Sequence, residues 1–270
     1  MSALSQSVPV PRGPVIEAVD VTKTLGSGAA EVEALHEVTV TVARGELVLL
    51  MGPSGSGKTT LLSVLGCMLQ PSAGTVGVCG QATENLGAED LARLRRQHIG
   101  FVFQSYHLFP TLTAAENVRL PLDVRGEPAT VAKERAAAAL AEVGLAHKRR
   151  AFPRALSGGE QQRVAIARAI VGQPSAILAD EPTAALDGEN GRAIMTLLAG
   201  LAESQGRGVL VVTHDTRLMP FASRVIHIED GRIRREERVS TAERLRRAES
   251  PRGADPAPAR VPARVGSAKP

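Results

Sequence analysis

Glu46-Leu47-Val48-Leu49-Leu50-Met51 runs straight into Gly52-Pro53-Ser54-Gly55-Ser56-Gly57-Lys58-Thr59-Thr60, and the fold can be read outward from this stretch. A short apolar run bounded by a Gly-rich loop reads as a buried strand, and a helical stretch follows to about Leu69. Between them the pattern G-x-x-x-x-G-K-[ST] is complete. Phosphates are bulky anions, and only a backbone without Cβ crowding wraps them with its N–H groups, so Gly52, Gly55 and Gly57 are expected at the contact. The strand–loop–helix order aims the positive end of a helix at the phosphates. Lys58 is then expected to bridge the β- and γ-phosphates and Thr59 to hold Mg²⁺, with Pro53, Ser54, Ser56 and Thr60 completing the nucleotide contacts. A chance Gly/Ser loop has no reason to sit between such a strand and such a helix.

A phosphate-binding loop calls for an aspartate at the end of a second buried strand. Ala176-Ile177-Leu178-Ala179-Asp180 supplies it, with Glu181 next. Asp180 is expected at Mg²⁺ and Glu181 at the attacking water. Alone, the pair would read as a strand ending in two surface acids. Around these motifs the chain alternates. Val38 to Val42 has strand periodicity, Gly74 to Gln81 and Ile99 to Phe103 read as strands, and a mainly helical stretch covers about 105–171. Val209-Leu210-Val211-Val212 returns to a buried strand after a helix around Gly191 to Ser204. Arg224 to Arg234, with Asp230-Gly231 inside, reads as a hairpin.

Leu156-Ser157-Gly158-Gly159-Glu160-Gln161-Gln162-Arg163 is the third motif. From about Val15 to Arg234 the chain resembles the ATPase subunits of ABC transporters, and this octet is similar to their signature loop. Physically it is a second phosphate cradle: a hydroxyl, two glycines and a helix N-terminus. The resemblance implies an α/β fold, a P-loop NTPase core of ABC type with an antiparallel β-subdomain and an inserted helical subdomain. It implies that Ser157, Gly158, Gly159 and Glu160 face ATP held by a partner, hence a head-to-tail dimer of two copies. It assigns Gln104 to Mg²⁺ and water, Asp187, in Ala184-Ala185-Leu186-Asp187, to the dimer crossing, and His214 to the γ-phosphate. One departure stands out: the family places an aromatic ring on adenine, and Lys23-Thr24-Leu25-Gly26 puts Leu25 there. The runs Gly100 to Gln104 and Leu112 to Val118, with Val32 to Leu35, are similar to the MacB/LolD group. That implies a separate membrane permease, export or extraction of substrate, and a periplasmic adaptor reached through the permease. A non-transporting regulator, like the cell-division ATPase of the same group, is the other reading.

Four of the six aromatics lie between Phe101 and Phe109. Strand alternation puts Phe101 and Phe103 in the core. Tyr106 and Phe109 either line a groove for a permease helix or pack locally.

The chain's 270 residues, 43% hydrophobic and 22% charged, suit one globular domain with a full core. Met1 to Pro14 is polar and Pro-rich, so no secretion signal is expected, and no apolar run approaches the roughly 18 residues of a membrane span. The expected place is therefore the cytoplasm, held to the inner membrane face by the permease. Cys67 and Cys79 have no metal-type spacing. The net charge of +4 hides a split: residues 232–270 carry +6, leaving −2 for residues 1–231. The basicity belongs to the tail, which argues against nucleic acid as a partner. The expected organisation is a disordered 1–13, an ATPase domain over 14–238, and a basic, Pro/Ala-rich disordered tail over 239–270. That tail reads either as solvated or as drawn to anionic lipid. Other P-loop classes fit poorly. The interval 60–155 is too short for a long coiled coil, a single cassette does not make a two-cassette translation factor, and no Asn-Lys-x-Asp guanine reader is present.

Overall fold

The computed structural model describes residues 13–28 and 31–239. Two sheets share one body. The first is antiparallel, in the order β2 (Val32–Val42), β1 (Ile16–Leu25), β4 (Ala73–Val78), β5 (Gln81–Ala82). The second runs β10 (Arg232–Arg238), β9 (Arg224–Glu229), β3 (Leu47–Met51), β8 (Gly208–Thr213), β7 (Ala176–Asp180), β6 (Ile99–Val102). All its neighbours are parallel except the β9–β10 hairpin at the edge.

The buried strands β3, β7 and β8 are apolar on both faces because both faces are covered. Leu47, Leu49, Val209, Val211, Ile177 and Ala179 pack to one side. There they meet α5 (Gly158–Ile170), α6 (Gly188–Gln205) and the lobe of α3 (Ala114–Val124) and α4 (Ala129–Glu142). Val48, Leu50, Leu210, Val212 and Leu178 pack to the other, with the antiparallel sheet, α1 (Lys58–Leu65) and α2 (Ala88–His98). All five parallel strands end on the same edge, where such sheets open a ligand crevice. Arg224, 7% exposed, fastens the far side: its guanidinium pairs with Glu46 (2.8 Å) and Glu236 (3.0 Å) and reaches the Thr41 carbonyl.

Several expectations change. The helix after the phosphate loop stops at Leu65, not near Leu69, because Gly66 caps it and Cys67 turns left-handed (φ 55°). A Cβ at Gly66 would lie 2.0 Å from the Phe101 ring, so the helix ends where that ring packs. Phe101 and Phe103 are half-buried rather than core, and stack on each other at 5.6 Å beside a surface groove. The helical stretch begins at Ala114, not at 105, with a loop ahead of it. Composition placed Val239 in the tail, yet it is buried and its N–H donates to the Ser223 carbonyl at 2.9 Å. The rest of that tail, and residues 1–12 of the expected disordered start, lie outside the described residues. No helix among the described residues is long and apolar enough to cross a membrane.

Candidate nucleotide site

At the carboxyl edge of the parallel sheet lies an open cavity of about 800 Å³. Its walls bring together Lys58, Thr59 and Thr60 from the start of α1, Gln104 after β6, Asp180 and Glu181 after β7, and His214 after β8. Leu25 and Ala34, from β1 and β2, close one end. Residues separated by more than 150 positions in sequence thus meet because four parallel strands end side by side.

The loop 52–57 is shaped by two tight approaches. A Cβ at Gly52 would sit 2.1 Å from the Ile228 carbonyl oxygen, and one at Gly57 (φ 93°) 2.6 Å from that of Ala34. Neither position admits a side chain. Gly57 caps α1, and the first helical bond runs from the Leu61 N–H to the Gly57 carbonyl at 2.8 Å. The amides of Lys58, Thr59 and Thr60 therefore have no intrahelical acceptor and point out of the helix start. Lys58 Nζ donates to the Gly52 and Pro53 carbonyls at 2.9 and 2.6 Å, which holds its ammonium over the loop.

Thr59 Oγ1 donates to Asp180 Oδ2 at 3.1 Å. Burial raises the Asp180 pKa above the usual aspartate value, and the Thr59 bond opposes that rise. Glu181 has a left-handed backbone (φ 45°), unusual for a side chain with a Cβ, and its N–H is tied to the Val212 carbonyl at 3.0 Å. His214 Nδ1 lies 2.7 Å from Glu181 Oε1. The strained turn and the histidine together hold the carboxylate at the cavity.

Ser157, Gly158, Gly159 and Glu160 do not line this cavity. They open α5 through a reciprocal cap: the Glu160 N–H donates to Ser157 Oγ at 3.2 Å, and the Ser157 N–H to Glu160 Oε2 at 2.9 Å. The Ser157 N–H bond to the carboxylate first, with the nearby Lys148 ammonium, holds the Glu160 pKa below the usual glutamate value. The Gly158 and Gly159 amides have no intrahelical acceptor, so two donors remain for an outside oxygen beside the Ser157 hydroxyl. Asp187 stands beside this cradle rather than in the cavity. It caps α6 through the Glu189 and Asn190 amides, and a Cβ at Gly159 would strike Asn190 Oδ1 at 2.8 Å.

Phe109, 55% exposed, lines a separate groove with Met68, Phe103, Leu120 and Val124. Tyr106 does not: it is half-buried and turns its hydroxyl toward Gly158, 3.0 Å from where a Cβ there would sit. Sequence reasoning missed Ala34 and Val212 as cavity walls. Ala34 is a single small residue without a motif, and Val212 reads as ordinary strand core.

Residues 35–184 match the family described as ABC transporter. The chain belongs to the ABC transporter family. Among its relatives, the macrolide export ATP-binding/permease protein MacB of Burkholderia pseudomallei is 46% identical over 221 residues. That alignment covers 82% of this chain and 34% of the relative. An ABC transporter ATP-binding protein of Thermotoga maritima is 48% identical over 219 residues, 81% of this chain and 93% of the relative. A solved ATP-binding cassette of Methanocaldococcus jannaschii, dimeric in a post-hydrolysis state with ADP and Pi, superposes with a TM-score of 0.76. It is 43% identical, over 83% of this chain and 98% of that one. The chain thus spans 93–98% of these single ABC cassettes but about a third of the MacB relatives. As an ABC cassette of the MacB-like group, it has the α/β core with an antiparallel sheet and a helical lobe that the three motifs implied.

Proposed function

We propose that this ABC cassette hydrolyses ATP at two sites shared head-to-tail between two copies of the chain, and that this drives a separate MacB-type permease in export or extraction. One observation carries the reading: the cavity gathers Lys58, Thr59, Gln104, Asp180, Glu181 and His214, while the donor-rich Ser157–Glu160 cradle opens elsewhere on the same chain. Two copies facing in opposite directions bring the cradle of one onto the cavity of the other.

The donor set fits a hard cation beside a triphosphate. A hydroxyl and a carboxylate already stand 3.1 Å apart at Thr59 and Asp180, with the Gln104 amide on the same wall. These three residues would hold magnesium, which when bound supplies positive charge at the β- and γ-phosphate oxygens. Lys58 exchanges its carbonyl partners for phosphate oxygens, and the helix-start amides add their N–H groups. Glu181, oriented by His214, accepts a hydrogen bond from the water that attacks the γ-phosphorus. Ser157 and the two glycine amides of the partner copy close over the same phosphate, so hydrolysis needs the dimer. The apolar groove with Phe109 suits a permease helix, and a periplasmic adaptor would be reached only through that permease. On this reading the cassette works at the cytoplasmic face of the membrane.

Steady-state and single-turnover hydrolysis test the proposal. Glu181→Gln should bind ATP normally and lose hydrolysis by ~10²-fold or more, the scale of a positioned base. Lys58→Ala should lose nucleotide binding itself. A Glu181→Gln protein with unchanged turnover contradicts the assignment.

A further inference from the structure

The chain immediately after Gln104 adopts a backbone that its residues resist. Tyr106 and His107 are consecutive side-chain-bearing residues with left-handed φ of 59° and 47°. Such conformations persist only where the surroundings over-determine them. Two backbone bonds inside the loop, from the Tyr106 N–H to the Phe103 carbonyl at 3.2 Å and from the His107 N–H to the Ser105 carbonyl at 2.6 Å, are joined by one side chain from 61 positions later. Arg168, on the last turn of α5, donates from Nη2 to the Tyr106 carbonyl at 2.7 Å and from Nη1 to the His107 carbonyl. A planar guanidinium spans two adjacent carbonyls with a fixed fork, which a lysine ammonium does not reproduce. Arg168 is half-buried, so these bonds lie where water competes poorly.

The same helix reaches the loop at its other end. α5 begins at Gly158, and the Tyr106 hydroxyl stands against that glycine. His107 in turn lies against Phe103, the residue before Gln104, with ring centroids 4.8 Å apart and the planes tilted by 31°. The loop carrying Gln104 is therefore held along the length of the helix whose first turn is the phosphate cradle.

We infer that Arg168 is a positioning residue for Gln104: by clasping the Tyr106 and His107 carbonyls it sets where Gln104 stands in the nucleotide cavity and ties that position to the Ser157–Glu160 helix. The inference rests on the ATPase reading of the cavity. Arg168 touches neither nucleotide nor metal, so its loss acts on turnover through Gln104 and spares the phosphate loop.

A double-mutant cycle on the full chain tests this. Arg168→Lys and Arg168→Met should each lower kcat by roughly ten- to a hundredfold, the cost of a misplaced site group. ATP affinity should stay within about twofold, because residues 52–60 are untouched. The magnesium concentration for half-maximal rate should rise. In a Gln104→Ala background, Arg168→Met should change kcat by less than about twofold. Equal losses in both backgrounds, an unchanged kcat in the Arg168 variants, or a fall in ATP affinity matching the fall in kcat each overturn the inference. Should the methionine variant not fold, the lysine variant, which keeps charge and stem, carries the same cycle. A wild-type chain that neither hydrolyses ATP nor binds it in a Lys58-dependent way defeats the ATPase reading instead, whatever Arg168 does.

Discussion

Leu25 sets an unusual end wall for a nucleotide cavity. It is 38% exposed at the end of β1, and its neighbour in the wall is Ala34. The polar side chains of the lining all come from residues 54–60 and from the strand ends at Gln104, Asp180, Glu181 and His214. A base at the Leu25 end thus meets aliphatic surface, and neither side chain there donates or accepts a hydrogen bond. Base-on-ring stacking contributes ~1–3 kcal/mol when measured by deleting the ring. Leucine retains part of the apolar contact, so the deficit against a ring is about 1 kcal/mol, roughly fivefold in Kd. Leu25→Tyr should recover that factor while leaving turnover of the bound state nearly unchanged, because the reacting end is untouched. GTP and CTP should gain about as much as ATP, since every base offers a π-face. Titrating a fluorescent ATP analogue into monomeric wild type and variant, with unlabelled nucleotides as competitors, measures it. A tyrosine variant that binds no better, or one whose gain is confined to ATP, refutes the placement of the base against Leu25.

Other expectations follow from the packing. Arg224→Met strands the Glu46 carboxylate and should cost ~3 kcal/mol, the low end for a broken buried pair since both carboxylates are partly exposed; the melting temperature should fall by ~6–12 °C. Adding Glu46→Gln should recover part of it. Thr113→Ala removes the cap of α3 and should cost ~1 kcal/mol in urea melts at neutral pH. Glu116 is held below the usual glutamate pKa by Thr113, its hydroxyl first, so its contribution is present above that range and lost as pH falls through the depressed value. The wild-type advantage over Thr113→Ala should narrow in acid. Ending the chain at Val239 should preserve the melting temperature and ATPase rate of the full chain. Ending it at Arg238 should cost about 1.5 kcal/mol, the buried valine and its bond to Ser223 being lost.

The Gly-rich end of the cavity was legible because the chemistry expected there demands particular residues in sequence-local order. Glycines must stand at 52 and 57, where backbone from β2 and β9 closes in, and an acid must follow a buried strand at Asp180. Its far partners, Gln104 and His214, carry no local signal and came from resemblance in order and spacing. Helix α2 was not anticipated: Leu91 and Leu94 are its only buried residues, too few to draw a periodic stripe. Alternation assigned Phe101 and Phe103 to the core, but β6 borders the helical lobe and leaves that face open as a groove. Tyr106 follows the second of its two readings, local packing, for a related reason. Its direction is set by Arg168 and by the glycine at 158, contacts that only the folded chain creates.

The central claim is a dimer closed by ATP, each cavity capped by the other copy's Ser157–Glu160 cradle. Glu181→Gln with ATP and magnesium traps that state, and light scattering on a size-exclusion column reads its mass directly. The expected masses are a dimer of 270-residue chains with ATP, a monomer with ADP or without nucleotide, and a monomer again when Gly158→Asp is added, since a carboxylate in the cradle repels the phosphate. A Glu181→Gln chain that binds ATP yet stays monomeric, or dimerises equally well with Gly158→Asp, contradicts it.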